Sequence, residues 1–214
     1  MSHLGLIDYG MGNLHSVQRA LERLGATVRS VHHASDLEAC DALVLPGVGS
    51  FDPAMERLHG AGLVDPIRRS CDAGRPLLGI CLGLQLLFDS SEEGQRPGLG
   101  LLAGCVRALP KVPHHPIPHM GWAPLLPASP SPLLPLQFDG EAWVYFVHSY
   151  AADCLDPTIV TARVTYAGTP VTAAVWSGSV SACQFHPEKS GPVGEAMLAR
   201  WLRWLEQGGR TAEP

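Results

Sequence analysis

Residues 76–88 read PLLGICLGLQLLF, an apolar run in which one cysteine lies between two glycines. The part before Cys81, Pro76 to Ile80, is short and apolar throughout, which is typical of a buried strand. The part after it repeats apolar residues, which we interpret as the start of a helix, at Leu84, Leu86, Leu87 and Phe88. A strand that is apolar on both faces and leads into a helix predicts a parallel sheet covered by helices on both sides.

The remainder of the chain extends this pattern. In the first half we predict strands over Leu4–Asp8, Ala26–Val31 and Ala42–Pro46, and helices over Asn13–Leu24, around Met55–Leu58 and over Val64–Ala73. From Ala103 onward, short β-type runs separated by turn residues indicate antiparallel additions, before a closing helix over Val193–Leu205. Two proline-rich stretches, 110–118 and 124–135, are predicted to be rigid surface loops. The predicted fold class is α/β: one domain, 1–214, with an open, mostly parallel sheet, helices on both faces and antiparallel additions.

Composition and charge exclude several classes of protein. Of 214 residues, 15 are Lys or Arg and 20 are Asp or Glu, for a net charge of −5. The basic residues form no run, so we expect no nucleic-acid partner. The apolar stretches fall short of the ~20 residues that span a membrane. The N-terminus lacks the pattern of a signal peptide, so we expect a cytoplasmic protein without membrane contact.

The six cysteines are not arranged as a disulfide scaffold or as a zinc site. They lie at positions 40, 71, 81, 105, 154 and 183, never in CxxC spacing. We therefore expect reduced, mostly buried thiols. Cys81 differs because Gly79 and Gly83 flank it at i−2 and i+2, as a nucleophile on a sharp strand-to-helix turn requires. A helix start behind the sulfur would favour the thiolate. The motif alone fits a buried cysteine at a tight turn equally well.

His186 and Glu188 are the partners that such a nucleophile needs. His186 follows the β-type run SVSACQF at 179–185, and Glu188 lies two positions on. Residues i and i+2 of an extended segment point to the same side, so the carboxylate can bond the imidazole and fix its tautomer. The end of a strand also lies at the sheet edge where open α/β folds bind ligands. On its own, the HxE pattern also fits a surface histidine beside a solvated carboxylate.

A third element is the loop Pro46-Gly47-Val48-Gly49 at the end of a predicted strand. Its glycines allow backbone N–H groups to approach a substrate oxygen. We expect the N–H groups of Val48 and of Leu82, which follows the cysteine, to form an oxyanion hole. The loop is too short to bind a dinucleotide or a phosphate. A simple glycine turn is the alternative interpretation.

With these elements in this order, the chain resembles the triad-type glutamine amidotransferases over nearly its whole length. Within them it is similar to the glutaminase subunits of imidazole glycerol phosphate synthase. Five segments carry that resemblance: IDYGMGNLHSV (7–17), GICLGLQLLFDSSEEG (79–94), PHMGW (118–122), YFVHSY (145–150) and FHPEKS (185–190). The resemblance implies a flavodoxin-like fold and glutaminase activity, with no cofactor and no metal.

The resemblance also assigns roles to residues. It implies that Cys81 attacks the side-chain amide of L-glutamine, that His186 moves the proton to the leaving ammonia, and that Glu188 orients His186. The residues implied to line the glutamine pocket are Gly47, Gly49, Gln85, Glu93, Ser149 and Tyr150. A carboxylate such as that of Glu93 suits the α-ammonium group of the substrate.

The resemblance further implies a partner. This is a cyclase subunit with a (β/α)₈ barrel, which would form a heterodimer with this chain and receive ammonia through a tunnel. The products would be imidazole glycerol phosphate and aminoimidazole carboxamide ribotide. The implied interface residues are Met120, Trp122, Tyr145 and Lys189. Ala123 departs from the asparagine common in the group, which removes one polar contact expected across the interface.

Other interpretations remain open from the sequence. A glutaminase subunit for chorismate amination would carry the same triad with a different partner. An inactive member could serve as a binding module, and a stand-alone γ-glutamyl hydrolase or cysteine peptidase would need no partner. Metal binding by His114, His115 and His119 lacks a plausible tetrahedral spacing and nearby carboxylates or thiols. We expect His148, on an apolar β-type run, to be a buried histidine with its hydrogen bonds satisfied.

Overall fold

The computed structural model describes residues 2–135 and 137–209, which form two sheets, five α-helices and three short 3₁₀ helices. The strands in chain order are β1 His3–Ile7, β2 Thr27–Val31, β3 Ala42–Gly47, β4 Leu77–Cys81, β5 Phe88–Ser91, β6 Leu102–Ala108, β7 His119–Pro127, β8 Trp143–His148, β9 Tyr150–Cys154, β10 Val160–Tyr166, β11 Thr169–Ser177 and β12 Val180–Cys183. The helices are α1 Leu14–Arg23, α2 Phe51–Gly60, α3 Val64–Asp72, α4 Leu82–Gln85 and α5 Gly191–Glu206. No helix in this part of the chain is long and apolar enough to span a membrane.

The larger sheet has the strand order β2-β1-β3-β4-β12-β11-β10-β7-β8. Its first five strands are mutually parallel, and the pairings from β12 onward to β8 are antiparallel. The smaller sheet has the order β5-β6-β9. The predicted fold class, a parallel core with antiparallel additions, is confirmed.

The central strands are apolar on both faces because helices cover both faces. Along β3, Leu43 and Leu45 belong to the core that contains residues of α2 and α3. Val44, between them, belongs to the other core, which contains residues of α1 and α5. Alternate side chains of one strand therefore enter opposite cores, as expected for a two-sided sheet. The arrangement brings the carboxyl ends of β3 and β4 together, with Gly47 paired to Cys81.

The predicted helix after Cys81 is wrong beyond its first turn. The helix ends at Gln85, and Phe88 begins β5. The carbonyl of Leu86 accepts the N–H of Leu99, and that of Leu87 accepts the N–H of Leu102. A longer helix would need these carbonyl groups as acceptors for its own N–H groups. The sequence does not reveal this, because the periodicity of the apolar run fits a helix and a strand equally well.

Two predictions for the second half also need correction. Pro124 and Pro127 lie in β7, not in a surface loop. The N–H of Leu125 donates to the carbonyl of Ala142, next to β8. The nitrogen of Pro124 therefore faces β10, whose pairing with β7 includes Leu125 but not Pro124. Pro127 is the last residue of the strand, a position that needs no N–H from it. The final strand, β12, is also parallel to β4, not wholly an antiparallel addition.

Candidate active site

Cys81 lies at the junction between β4 and α4 in a strained backbone conformation, with φ +56° and ψ −112°. A non-glycine residue with positive φ is uncommon and clusters at functional sites. A Cβ on Gly83 would overlap the carbonyl oxygen of Leu45, and one on Gly79 would lie 3.1 Å from the Cβ of Ala182. Gly83 therefore allows α4 to lie close to β3, and Gly79 allows β4 to lie close to α4 and β12, so the sequence prediction of small residues at these positions is confirmed.

The sulfur of Cys81 opens into a cavity of about 270 Å³, a volume suited to one amino acid. Among the residues implied to bind glutamine, the structure brings five to its wall: Gly49, Gln85, Glu93, Ser149 and Tyr150. Val48, Leu82 and His186 also line it. Gly47 does not line it: this residue ends β3 and packs against Tyr9, whose hydroxyl oxygen would lie 2.5 Å from a Cβ at position 47.

His186 and Glu188 form a buried pair. The Nδ1–H of His186 donates to Oε1 of Glu188 over 2.8 Å, with side-chain exposures of 3% and 1%. The sequence pattern predicts an extended segment here. Instead, Glu188 lies in a 3₁₀ turn over Pro187–Lys189, which turns its carboxylate back to the ring. The bond to Nδ1 leaves Nε2 as the ring nitrogen available to Cys81.

The environment of His186 favours the imidazolium. Burial lowers the pKa of this histidine, but the nearby Cys81 and the hydrogen bond and charge interaction with Glu188 raise it more strongly, to about 9. The main chain of His186 is also held. Its N–H donates to the carbonyl of Tyr145, and its carbonyl accepts the hydroxyl of Ser190. A charged, fixed imidazolium beside a cysteine is the arrangement that activates a thiolate.

Tyr9 binds the first residue of the glycine loop, a role that the sequence pattern does not predict. Its hydroxyl donates to the carbonyl of Pro46 over 2.9 Å, at the base of the loop that carries Val48 and Gly49. Burial first, and then the nearby Cys81, raise its pKa well above the ordinary value, so the hydroxyl stays a donor. The only signal in the sequence was the segment IDYGMGN, which carried a resemblance but no chemical role.

Glu93 and Gln85 present acceptors to the cavity. Oε2 of Glu93 accepts the N–H of Phe51 at the start of α2. The Nε2 group of Gln85 donates to the carbonyl of Tyr150 and to Oε1 of Gln184, both over 3.0 Å. With its N–H groups engaged, Gln85 has its side-chain oxygen to offer to an ammonium group.

His148 is a buried, neutral histidine in the cavity wall, as expected. It is 4% exposed, its Nδ1 donates to the carbonyl of Tyr150, and its Nε2 accepts from Nδ1 of His119 over 3.1 Å. Burial lowers its pKa to about 4. The Nδ1 of His119 is thus bonded to His148 and is not free to bind a metal ion together with His114 and His115. Over residues 2–135 and 137–209, no group of three His, Cys, Asp or Glu side chains could hold a metal ion.

The implied interface residues lie on one surface. Met120 is 63% exposed and Trp122 is 53% exposed, two residues apart on β7. Tyr145 of β8 pairs with Trp122, with ring centroids 6.0 Å apart, and Lys189 is exposed at the end of its 3₁₀ turn. Ala123 is buried in the core on the opposite face of β7. The side chain at position 123 therefore faces away from this surface, so a polar contact across the interface is not expected from this position.

Comparisons with known proteins agree with this geometry. The family described as glutamine amidotransferase class-I matches residues 5–204. A protein of Synechococcus sp. (strain CC9902), the imidazole glycerol phosphate synthase subunit HisH, is 57% identical over 212 residues, covering 99% of this chain and 98% of its own. A subunit HisH 2 of Prochlorococcus marinus (strain MIT 9313) is 54% identical, with 98% of both chains covered.

Solved structures agree in fold. A crystal structure described as a glutamine amidotransferase has a TM-score of 0.71 at 22% identity, covering 96% of this chain and 98% of that chain. The structure of PurLQS from Thermotoga maritima has a TM-score of 0.73 at 19% identity, covering 96% and 100%. The similarity expected from the sequence motifs is thus confirmed. The chain belongs to the class-I glutamine amidotransferase family.

Proposed function

We propose that this chain hydrolyses L-glutamine to glutamate and ammonia with Cys81, His186 and Glu188 as its catalytic triad. One observation carries the proposal: a strained cysteine and a buried His–Glu pair meet at a cavity of amino-acid size. A binding module would not need this combination, because a strained backbone and a buried charge both destabilise the fold.

The arrangement suits acyl transfer through a thioester. The thiolate of Cys81 attacks the side-chain carbonyl carbon of glutamine, and the developing oxyanion is stabilised by the N–H groups of Val48 and Leu82. His186 then gives its Nε2 proton to the leaving nitrogen, and ammonia departs. In the second half, His186 takes a proton from water, the hydroxide attacks the thioester, and glutamate leaves as the thiolate returns. Glu188 keeps the ring oriented throughout and stabilises its charged form.

The cavity fits the amino-acid end of the same substrate. The carboxylate of Glu93 and the side-chain oxygen of Gln85 suit its α-ammonium group, while Gly49, Ser149 and Tyr150 complete the wall. A hydrolase or peptidase for larger substrates would need an extended cleft in place of a cavity of about 270 Å³.

The partner that we propose is the cyclase subunit of imidazole glycerol phosphate synthase, a (β/α)₈ barrel that forms a heterodimer with this chain. Two relatives above 50% identity are named as subunits of that enzyme. Met120 and Trp122 form an exposed apolar surface, and Pro118 on the same segment lines the cavity. A partner bound to this surface would therefore lie close to the cavity, which supports the proposal. Ammonia would pass to the barrel, which would form imidazole glycerol phosphate and aminoimidazole carboxamide ribotide. In this proposal residues 1–214 act as one glutaminase domain.

The test is steady-state glutaminase activity of the chain with and without its cyclase subunit and the nucleotide substrate. We expect slow hydrolysis by the chain alone and a large increase in kcat in the complex, since oxyanion donors that are misaligned cost on the order of 10²–10³ in rate. Cys81→Ala should abolish hydrolysis but retain the partner, and added ammonia should sustain the cyclase reaction without this chain. Full activity of the isolated chain would favour a stand-alone hydrolase, and activity in Cys81→Ala would refute the triad.

A further inference from the structure

A buried amide contacts the sulfur of the nucleophile. Gln184 is fully buried two residues before His186, and its Nε2 lies 3.9 Å from Sγ of Cys81. We propose that Gln184 is a positioning residue whose side-chain N–H holds the Cys81 sulfur in place and stabilises its thiolate. The inference rests on the proposed role of Cys81 as nucleophile, and it adds a residue outside the triad to the machinery of that reaction.

The orientation of the Gln184 amide follows from one backbone carbonyl. The oxygen of Tyr150 can only accept, so Gln85 must direct its NH₂ group toward it, over 3.0 Å. The same NH₂ group donates to Gln184 over 3.0 Å, so Gln184 must direct its oxygen toward Gln85. Its own NH₂ group then faces Cys81. Two amides in series thus ensure that the sulfur meets a donor, since the reverse orientation would oppose two NH₂ groups.

The carbonyl that sets this order is held firmly. The Nδ1–H of His148 donates to the same oxygen of Tyr150 over 2.9 Å. Together with the bond from Gln85, this occupies both lone pairs of the oxygen. His119 fixes His148 in turn through its Nε2. The peptide of Tyr150 therefore cannot rotate without breaking two partly buried hydrogen bonds, each costly to lose.

The N–H of Gln184 acts mainly on the charged form of Cys81. The carbonyl oxygen of Val147 lies 3.9 Å from Sγ and can accept from a thiol, but it repels a thiolate. His186, Tyr9 and Cys183 are titratable groups that interact with this sulfur, Glu93 and His148 line the same cavity, and Glu188 is bonded to His186. Burial holds the pKa of Tyr9 and of Cys183 well above their ordinary values, so neither contributes a charge. Gln184 and His186 are then the side chains that favour the thiolate.

The test is the pH dependence of Cys81 alkylation by iodoacetamide, followed by mass spectrometry of the Cys81 peptide in the full chain. Gln184→Met keeps the side-chain length and removes the amide. We expect its alkylation midpoint to rise by roughly one pH unit, the shift that loss of one hydrogen bond to a charged group produces. Ser181→Ala, a buried polar change in β12, the strand that leads directly into Gln184, is the matched control and should retain the wild-type midpoint. A purely structural role would lower the melting temperature of Gln184→Met and leave its midpoint unchanged.

A second measurement on the wild-type protein covers the case in which Gln184→Met does not fold. The side-chain NH₂ signals of Gln184 in a ¹H–¹⁵N NMR spectrum should shift with the Cys81 midpoint and should stop shifting in Cys81→Ser. A signal that does not follow Cys81, or equal midpoints in Gln184→Met and Ser181→Ala, would overturn the inference. Alkylation requires neither glutamine nor a partner, so a chain without glutaminase activity would refute the proposed function alone.

Discussion

Glu188 accepts the Nδ1–H of His186 over 2.8 Å while its side chain is only 1% exposed. Its second oxygen, Oε2, is buried with no hydrogen-bond partner among the residues that the structure describes. His186 is therefore the hydrogen-bond partner of this carboxylate, and the raised pKa of His186 depends in part on Glu188. Removing one member of such a buried pair leaves an uncompensated group, so the two residues should act as a unit.

The first prediction follows from this dependence. Glu188→Gln keeps a side chain that can orient the ring but removes the charge, so we expect kcat to fall by about 10²–10³ in glutaminase assays of the complex. His186→Ala removes the group that moves the proton, and the loss should be at least about tenfold larger. The double variant should be little worse than His186→Ala. Multiplicative losses in the double variant would show that the residues act independently.

The second prediction concerns selectivity among cysteines. A glutamine-derived electrophile should label Cys81 alone, because Cys81 lies in the cavity and burial raises the pKa of the other buried thiols. Burial raises the pKa of Cys71 to about 12 and that of Cys154 to about 11, and it raises the pKa of Cys40 and of Cys183. Peptide mass spectrometry after labelling, with excess L-glutamine as the competitor, measures this. Labelling at Cys105, which is half-buried, or at Cys183 would contradict the assignment.

The sequence predicted those parts of the site that lie within short segments. The glycines around Cys81 and the pairing of His186 with Glu188 are local patterns, and both are present in the structure. Tyr9 and Gln184 were missed because their roles depend on contacts with Pro46 and Cys81, far away in sequence. A buried tyrosine or glutamine in a strand or loop has no distinctive pattern by itself.

The same reason explains the errors in the fold. The helix predicted through Phe88 ends early because residues 98–102 bond its carbonyl groups. The prolines of β7 are tolerated because the nitrogen of each faces a neighbouring strand at a position beyond the residues that pair with that strand. In each case a neighbouring strand overrides local propensity.

The third prediction tests the support of the glycine loop. Tyr9→Phe removes the bond to the carbonyl of Pro46, which fixes the base of the loop that carries Val48. We expect kcat to fall by about tenfold with little change in KM, because misplaced oxyanion donors weaken only the transition state. Tyr166→Phe is the matched control, since both tyrosines are 5% exposed and donate to backbone carbonyls. Equal kinetic losses in both variants would indicate a general effect on stability.

The fourth prediction concerns substrate binding. The carboxylate of Asp52 accepts the N–H groups of Gln95 and Arg96, and these bonds lower its pKa. They anchor the turn that follows Glu93. Asp52→Ala should free this turn and raise KM for glutamine several-fold at nearly constant kcat, as expected when ground-state and transition-state binding weaken equally. Asp65→Ala, an exposed acidic residue in the first turn of α3, is the control. A fall in kcat at constant KM would place Asp52 elsewhere in the mechanism.

The fifth prediction is a loss of stability at alkaline pH that depends on His186. The pKa of His186 is about 9 in the folded chain, because Cys81 and Glu188 raise it beyond the lowering caused by burial, and about 6.5 in an unfolded chain. A raised pKa stabilises the folded state fully below about pH 6.5, and that contribution is lost as the pH rises through about 9. The free energy of unfolding, measured with urea at pH 6 and pH 9.5, should therefore decline less in His186→Gln than in the wild type. His59→Gln, at an exposed histidine of α2, should retain the wild-type decline. Cys81→Ala removes one of the two groups that raise the pKa, so its decline should begin at lower pH; a decline identical in His186→Gln and the wild type would show that this imidazole is not charged in the folded protein.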